Sequence, residues 1–276
     1  MNAARAGRRS RPAGFWQAHG HGPPLVLING FAASGRAWPH AWLRALEHRF
    51  RVVTLDNRGS GYARYADAPF SIADLADDVV NVMDAAEAPQ AAVFGISMGG
   101  MIAQELALRH PDRVTQLILA ASRPPNPAFR PPLLQSTLMM IRPPLPGESL
   151  PHFFERLWSH SAAPGFADAH PEAVDELVEQ SLERPTGRAM LIAQARAMSA
   201  WGHSDRLAQI AAATLVVHGT LDPLSPVANG RALAKLIPAA RYVELPGVGH
   251  LIPQEAAAAS LELIDGHLLG APVQAS

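Results

Sequence analysis

Ser97, Asp222 and His250 lie far apart in the chain, but they are the side-chain types that together turn a hydroxyl into a nucleophile. A serine hydroxyl is a weak nucleophile near neutral pH. It needs a base within hydrogen-bond reach, and that base needs a group to orient it. Ser97 sits in Gly95-Ile96-Ser97-Met98-Gly99, a G-x-S-x-G spacing that follows the apolar run Ala91-Ala92-Val93-Phe94. A serine so placed occupies a sharp strand-to-helix turn in a strained backbone conformation, and its oxygen projects above the sheet. Its neighbours must be small, because strand and helix pass close to them. The helix start also sets backbone N–H groups and a positive dipole end beside the nucleophile. The pattern alone is weak, since a glycine-rich turn can carry an incidental serine; its context raises its weight.

The other two residues follow from where working residues lie in α/β sheets, on loops beyond the C-terminal ends of strands. The run Thr214-Leu215-Val216-Val217-His218 leads through Gly219-Thr220-Leu221 to Asp222, and Arg241-Tyr242-Val243-Glu244-Leu245 leads through Pro246-Gly247-Val248-Gly249 to His250. The chain order Ser97, Asp222, His250 is that of the nucleophile-elbow hydrolases. The main alternative position for the acid is after the strand Val114 to Ala120, yet no Asp or Glu occurs from there until Glu148. Of the twelve histidines, only His250 stands just beyond the last strand. Taken singly, Asp222 is a turn residue before a proline and His250 a loop histidine; order and spacing favour the joint assignment. A developing oxyanion needs two N–H donors. Met98, next to the nucleophile, supplies one, and the loop Asn29-Gly30-Phe31 supplies the other through Phe31.

The elements that must hold these residues alternate between strand and helix. Pro24 to Ile28 is a continuous apolar run, as in a strand buried on both faces. Trp38 to Glu47 is expected as a helix, and Arg51 to Leu55 as the next strand. Ser71 and Asp74 form a capping-box pattern ahead of Ile72, Leu75, Val79, Val82, Met83 and Ala86, which keep helical spacing. After the serine, the two glycines open a helix expected from Met101 to His110. Leu261 to Leu269 is expected as a closing helix. Alternation of this kind implies a mostly parallel sheet covered on both faces. The rhythm breaks after Ser122: Arg123 to Pro146 is dense in proline, and Leu150 to about Ala211 is helical in tone. We therefore expect a core of residues 1–122 and 208–276 interrupted by a helical insert of residues 123–207.

Composition excludes several functions. The 276 residues are 48% hydrophobic and 17% charged with a net charge of −1, enough for one large domain with an insert and without a basic field for nucleic acid or an anionic membrane. There is no cysteine, so disulfides, thiolate metal sites and cysteine nucleophiles are excluded. No apolar run reaches the length of a membrane span. Met1 to Pro12 carries Arg5, Arg8, Arg9 and Arg11 with no apolar core behind it, which reads as a basic tail rather than a secretory signal; the expected compartment is the cytoplasm. His19-Gly20-His21 has metal-ligand spacing but no acidic cluster near it, and it is expected as an exposed turn. Neither metal nor cofactor enters the triad chemistry.

Four segments together carry a resemblance over nearly the whole chain: Gly95 to Gly99, Asp56-Asn57-Arg58-Gly59-Ser60-Gly61, His218 to Asp222, and Gly247 to His250. The chain resembles the α/β-hydrolase fold family. Through Ser97-Met98-Gly99-Gly100-Met101-Ile102-Ala103 it is similar to its capped esterases and lactonases, among them 3-oxoadipate enol-lactonases, anthracycline methylesterases and cofactor-free haloperoxidases. The resemblance implies an eight-stranded type of mostly parallel sheet with helices on both faces and a helical cap. It also implies structural roles around the oxyanion loop for Asp56 and Arg58. Many relatives have His-Gly where this chain has Asn29-Gly30; the backbone donor survives the change but the contact behind it differs.

The implied activity is cleavage of a small carboxylic ester or lactone through an acyl-enzyme. Carbon–carbon bond hydrolysis, thioester hydrolysis and perhydrolysis use the same machinery and differ through the cap. A ligand-binding protein that kept the fold is the reading from a different class. The insert is expected over Ser97, where Met139, Met140, Phe153, Trp158, Met198 and Trp201 either line a pocket or form the insert's own core. Arg123, after a strand end, is placed either to meet a substrate carboxylate or to serve structure. The sequence leaves the oligomeric state open.

Overall fold

The computed structural model describes residues 15–63 and 69–270, so the basic tail of residues 1–12 lies outside the described residues. In chain order the first half contains β1 (Trp16–His19), β2 (Pro24–Ile28), α1 (His40–Glu47), β3 (Arg51–Leu55), α2 (Ile72–Ala85), β4 (Ala91–Ile96), α3 (Met98–Arg109) and β5 (Val114–Ala120). Five helices follow: α4 (Leu134–Ile141), α5 (Leu150–Ser161), α6 (Phe166–Ala169), α7 (Pro171–Glu183) and α8 (Arg188–Ala200). The strand rhythm then returns with β6 (Ala213–Gly219), α9 (Ala228–Leu236), β7 (Arg241–Leu245), α10 (Ile252–Glu255) and α11 (Ala257–Leu268).

Among the described residues the sheet has seven strands in the order β1-β3-β2-β4-β5-β6-β7, one short of the eight-stranded type. All pairs are parallel except β1 with β3, which is antiparallel at the edge. The chain leaves β2 for β3 on one side and returns as β4 on the other. This reversal opens a crevice at the C-terminal ends of β2 and β4, where ligands of open α/β sheets bind.

Each strand sends alternate residues to opposite faces, which explains its unbroken apolar sequence. Val26, Ile28, Val93, Leu117 and Leu119 pack with α2, α3 and α9, while Leu25, Leu27, Phe94, Ile118 and Leu215 pack with α1, α10 and α11. Fully burying a Leu or Ile contributes roughly 1.5–3 kcal/mol, so these two layers dominate the stability of the sheet. On the second face Trp38 stacks on Trp42 with ring centroids 5.5 Å apart, and Phe94 meets both rings. The Trp42 indole N–H donates to Ser260 Oγ at 2.9 Å, tying α1 to α11.

Local signals account for most boundaries. The Ser71–Asp74 capping box is present and starts α2. Three helix starts differ from expectation, and α11 is one of them, beginning at Ala257 rather than Leu261. Helix α1 begins at His40 because Pro39 precedes it in an extended conformation, leaving Trp38 outside the helix. Helix α3 begins at Met98, not Met101. Gly99 and Gly100 are its first turn rather than its approach, and they are small because of what lies against them. A Cβ on Gly99 would sit 2.0 Å from the Ile28 carbonyl oxygen, and one on Gly100 would sit 2.5 Å from the Ser122 side chain. α3 is buried on almost every side, from Met98 to Ala107.

The helices between β5 and β6 sit at the C-terminal edge of the sheet. One face of α7 shows how they are held there. Glu176, Gln180 and Glu183, at helical spacing, meet the segment between β2 and α1. Glu176 accepts from the His40 N–H at 2.8 Å, Gln180 donates to the Trp38 carbonyl at 3.2 Å, and Glu183 pairs with Arg36 at 3.0 Å.

Candidate active site

Ser97 has φ 56° and ψ −121°, a conformation that non-glycine residues adopt only when their surroundings hold them there. Four hydrogen bonds do so, one of them from the Met101 N–H to the Ser97 carbonyl at 3.3 Å. Its N–H donates to the Ala120 carbonyl at 3.0 Å, and its own carbonyl accepts from the Gly100 N–H at 3.0 Å and from Ser122 Oγ at 2.8 Å. Gly95 completes the turn, since a Cβ there would lie 2.4 Å from the Gly99 carbonyl oxygen. The hydroxyl therefore stands at the apex between β4 and the N-terminus of α3. The Met98 N–H, at the first helical position, has no acceptor four residues back within the helix.

The loop after β2 lies directly against this apex: a Cβ on Gly30 would be 3.2 Å from Ser97 Cβ and 3.7 Å from Ser97 Oγ. Asn29 folds the loop. Its Nδ2 donates to the Ser34 and Ala37 carbonyls at 3.0 and 3.2 Å, and its Oδ1 accepts from the Gly30 N–H at 2.8 Å. Asn57 Nδ2 holds the Asn29 carbonyl at 2.8 Å. Asp56 supports the same loop, accepting from Ser34 Oγ, the Gly35 N–H and the Tyr62 N–H at 2.7, 2.6 and 2.7 Å. Arg58 forms a two-pronged pair with Asp78 at 2.9 and 2.8 Å. With the Gly30 N–H on Asn29 and the Ala32 N–H on Gln194, the Phe31 N–H between them has no acceptor among the described residues.

Asp222 and His250 meet. His250 Nδ1 and Asp222 Oδ2 are 2.8 Å apart, with both residues buried. The other carboxylate oxygen accepts from the Leu224 and Ser225 N–H groups, each at 2.8 Å. Burial alone would raise the Asp222 pKa. The charge of His250 and hydrogen bonds from His218 and His250 outweigh it and lower the pKa to about 2. The carboxylate is thus charged, and it fixes the imidazole ring with Nδ1 as its donor. His218, fully buried beside Asp222, has Nε2 at 2.6 Å from the Ser225 carbonyl, a contact that makes that nitrogen a donor.

A row of hydrogen bonds across the strand ends links the Ser97 backbone to this pair. Ser122 Oγ donates to the Ser97 carbonyl, Ser225 Oγ donates to the Ser122 carbonyl at 3.1 Å, and the Ser225 N–H donates to Asp222. Among the described residues the Ser97 hydroxyl itself has no hydrogen-bond partner. The base loop has a further support that sequence reasoning missed. The Glu255 carboxylate accepts from the Gly249 and Leu251 N–H groups, on either side of His250, at 2.8 and 2.9 Å, and from the Ala163 N–H at 2.8 Å. The His250 N–H donates to the Ser161 carbonyl at 3.0 Å. Nothing in the local sequence marks Glu255 apart from its position five residues beyond His250.

The side chains named for the pocket make the following contacts. Trp158 donates to Ser181 Oγ at 3.0 Å and packs on Ala162 and Leu177 of the insert and on Leu251, the residue after His250. Trp201 is buried and donates to Glu105 at 3.1 Å. Met198 packs half-buried against the main core, and its carbonyl accepts from Arg123. Arg123 also donates to the Pro124 carbonyl at 3.0 Å and stacks over Phe129 at 4.1 Å; burial lowers its pKa to about 10, so it stays charged at neutral pH. These contacts serve the junction between β5 and the insert. A cavity of about 500 Å³ lies between Phe166–Ala173 and Gln254–Ala259, and its lining includes none of Ser97, Asp222 and His250. His19 ends β1 and His21 is exposed, and no group of three or more metal-ligating side chains occurs among the described residues. Nor, among these residues, is any helix long and apolar enough to cross a membrane.

Residues 23–257 match the model of the alpha/beta hydrolase fold family. The chain is 30% identical to a pimeloyl-[acyl-carrier protein] methyl ester esterase of Vibrio atlanticus over 81% of its own length and 86% of that protein. It is 27% identical to 3-oxoadipate enol-lactonase 2 of Acinetobacter baylyi over 86% of its length and 81% of that protein. A crystal structure of a hydrolase from Pseudomonas aeruginosa superposes with a TM-score of 0.78 at 28% identity, covering 93% of this chain and 94% of that one.

Proposed function

The chain belongs to the alpha/beta hydrolase fold family, and from that premise we propose that it is a serine hydrolase cleaving a small-molecule carboxylic ester or lactone, with Ser97 as nucleophile, His250 as general base and Asp222 as its orienting acid. The similarity to an esterase and an enol-lactonase supports the substrate class. The observation that carries the residue assignment is the backbone of Ser97: a left-handed φ of 56° at a helix N-terminus, against the loop that holds the unused Phe31 N–H.

In this mechanism Ser97 Oγ attacks the carbonyl carbon while its proton passes to His250 Nε2, and the Ser97–His250 hydrogen bond closes when substrate is bound. The negative charge moves onto the carbonyl oxygen, where the Phe31 and Met98 N–H groups receive it. Asp222 stabilises the imidazolium. The tetrahedral intermediate collapses to the acyl-enzyme, and the leaving oxygen takes the proton from His250. A lactone's leaving oxygen stays attached to the acyl chain; an ester's departs as alcohol. Water then attacks the acyl carbon, giving its proton to His250, and the acid is released as Ser97 regains its proton.

The insert helices act in this reading as a cap that shapes the pocket. A hydrolysis screen of p-nitrophenyl esters of graded acyl length, with lactones and thioesters alongside, tests the substrate class. Ser97→Ala is expected to lower ester turnover by about a thousandfold or more, and a fluorophosphonate probe is expected to label Ser97 in the parent. A folded parent protein left unlabelled, with turnover unchanged in Ser97→Ala, would sink the proposal.

A further inference from the structure

We infer that Gln194 and Thr186, two residues of the helical insert, are positioning residues that clamp Ala32 and so aim the neighbouring Phe31 N–H at the reacting oxygen. The inference rests on the assignment of Phe31 as an oxyanion donor made above. Ala32 has φ 61°, a left-handed conformation that places its Cβ against its own backbone. An alanine holds that conformation only where its surroundings over-determine it.

Both of Ala32's hydrogen-bonding groups are held from the insert. Its N–H donates to Gln194 Oε1 on α8 at 2.8 Å, and its carbonyl accepts from Thr186 Oγ1, in the link before α8, at 3.0 Å. Gln194 is fully buried, and its amide nitrogen is also engaged, donating to the Arg58 carbonyl and to Ser60 Oγ at 3.0 Å each. The amide has one workable orientation. Ala32 offers a donor and Arg58 an acceptor, so a flipped amide would oppose like groups at both.

The consequence falls on the peptide between Gly30 and Phe31, which carries the Phe31 N–H. The peptide before it is pinned at both ends, by Asn57 on the Asn29 carbonyl and by Asn29 Oδ1 on the Gly30 N–H. The peptide after it is pinned by Gln194 through the Ala32 N–H. The peptide itself has one long bond, from the Ala33 N–H to the Gly30 carbonyl at 3.4 Å, and is otherwise held between one anchor from the core and one from the insert. Without the insert's anchor Ala32 relaxes toward negative φ, and the peptide plane at Phe31 turns with it. An oxyanion donor acts on charge that develops in the transition state, so its misdirection lowers kcat and leaves KM nearly unchanged.

Gln194→Met keeps the chain length and removes all three bonds; Thr186→Val is isosteric and removes one hydroxyl; Thr186→Ser keeps that hydroxyl. With p-nitrophenyl acetate, kcat is expected to fall about 30-fold in Gln194→Met and about 5-fold in Thr186→Val, a fraction of the hundredfold or more lost with a whole oxyanion donor. KM is expected to stay within about twofold, and Thr186→Ser to match the parent. Ala32→Gly adopts a left-handed φ without penalty and is expected to restore part of the rate in the Gln194→Met background. The rate of fluorophosphonate labelling is expected to follow the same order as kcat. A folded Gln194→Met protein with parental kcat overturns the clamp, as does a Thr186→Val protein indistinguishable from Thr186→Ser. The second comparison decides alone if Gln194→Met does not fold. Ser97→Ala separates the two claims: if it turns over as fast as the parent, the nucleophile assignment fails, whereas its loss of activity beside an unaffected Gln194→Met rejects the clamp only.

Discussion

The imidazole of His250 and the carboxylate of Asp222 share a 2.8 Å hydrogen bond in which the carboxylate's second oxygen is already committed to two backbone N–H groups. The ring therefore meets a carboxylate that cannot rotate away. Asp222→Asn keeps the shape but presents either an amide N–H or a poorer acceptor to Nδ1, which favours the wrong tautomer. We expect kcat to fall by about a thousandfold or more, with KM little changed. Steady-state kinetics on a p-nitrophenyl ester measures it, and a loss under tenfold contradicts the role.

Asp222 also links stability to pH. Its pKa in the fold is about 2, below the ordinary 3.8, so the folded state binds this proton less readily than the unfolded chain. The stability it contributes is fully present above about pH 4 and is lost as the pH falls toward 2. Urea unfolding at pH 5, 4 and 3 should show a steeper loss in the parent than in Asp222→Asn. Parallel slopes would remove the linkage.

Gly30 lies close enough to Ser97 for its missing side chain to matter. A Cβ at 3.2 Å from Ser97 Cβ and 3.7 Å from Oγ crowds the nucleophile without meeting the core. Gly30→Ala is expected to lower kcat about tenfold or more through misplaced reacting atoms, while the melting temperature shifts by no more than a few degrees. Calorimetry beside kinetics separates the two effects.

Gly99 should behave in the opposite way. Its Cβ would fall 2.0 Å from a backbone oxygen of β2, which has no freedom to retreat. Overpacking of this kind typically costs roughly 1–3 kcal/mol, and more where only backbone can move. We expect Gly99→Ala to lose most of its soluble yield, as read by size-exclusion chromatography.

Glu255 holds three N–H groups with one carboxylate, two of them flanking His250. Glu255→Ala leaves all three without an acceptor, and we expect a loss of about 2–3 kcal/mol, the range for buried donors left unpaired. Denaturant titration measures the loss. A fall in kcat beyond the change in folded fraction would show that the base has lost its place.

The parts of this fold legible in the sequence are those carried by local chemistry. Ser71 and Asp74 announced α2, and the unbroken apolar runs of β2 to β6 declared a sheet buried on both faces. β1 escaped notice because Trp16–His19 is four residues long, half-exposed and without a periodic apolar face. In the sequence Gly99 and Gly100 read as turn residues, since nothing local distinguishes a turn glycine from one kept small by a passing strand. Gln194, Thr186 and Glu255 were invisible for a related reason. Each earns its role through partners up to 154 or 162 positions away, or through backbone groups that carry no sequence signal.

The α7 face that grips residues 36–40, together with the Ser161 carbonyl on the His250 N–H and the Ala163 N–H on Glu255, fastens the insert to the core at two separate places. Lifting the insert as a rigid flap would break both fastenings at once and strip the His250 loop of its outer support.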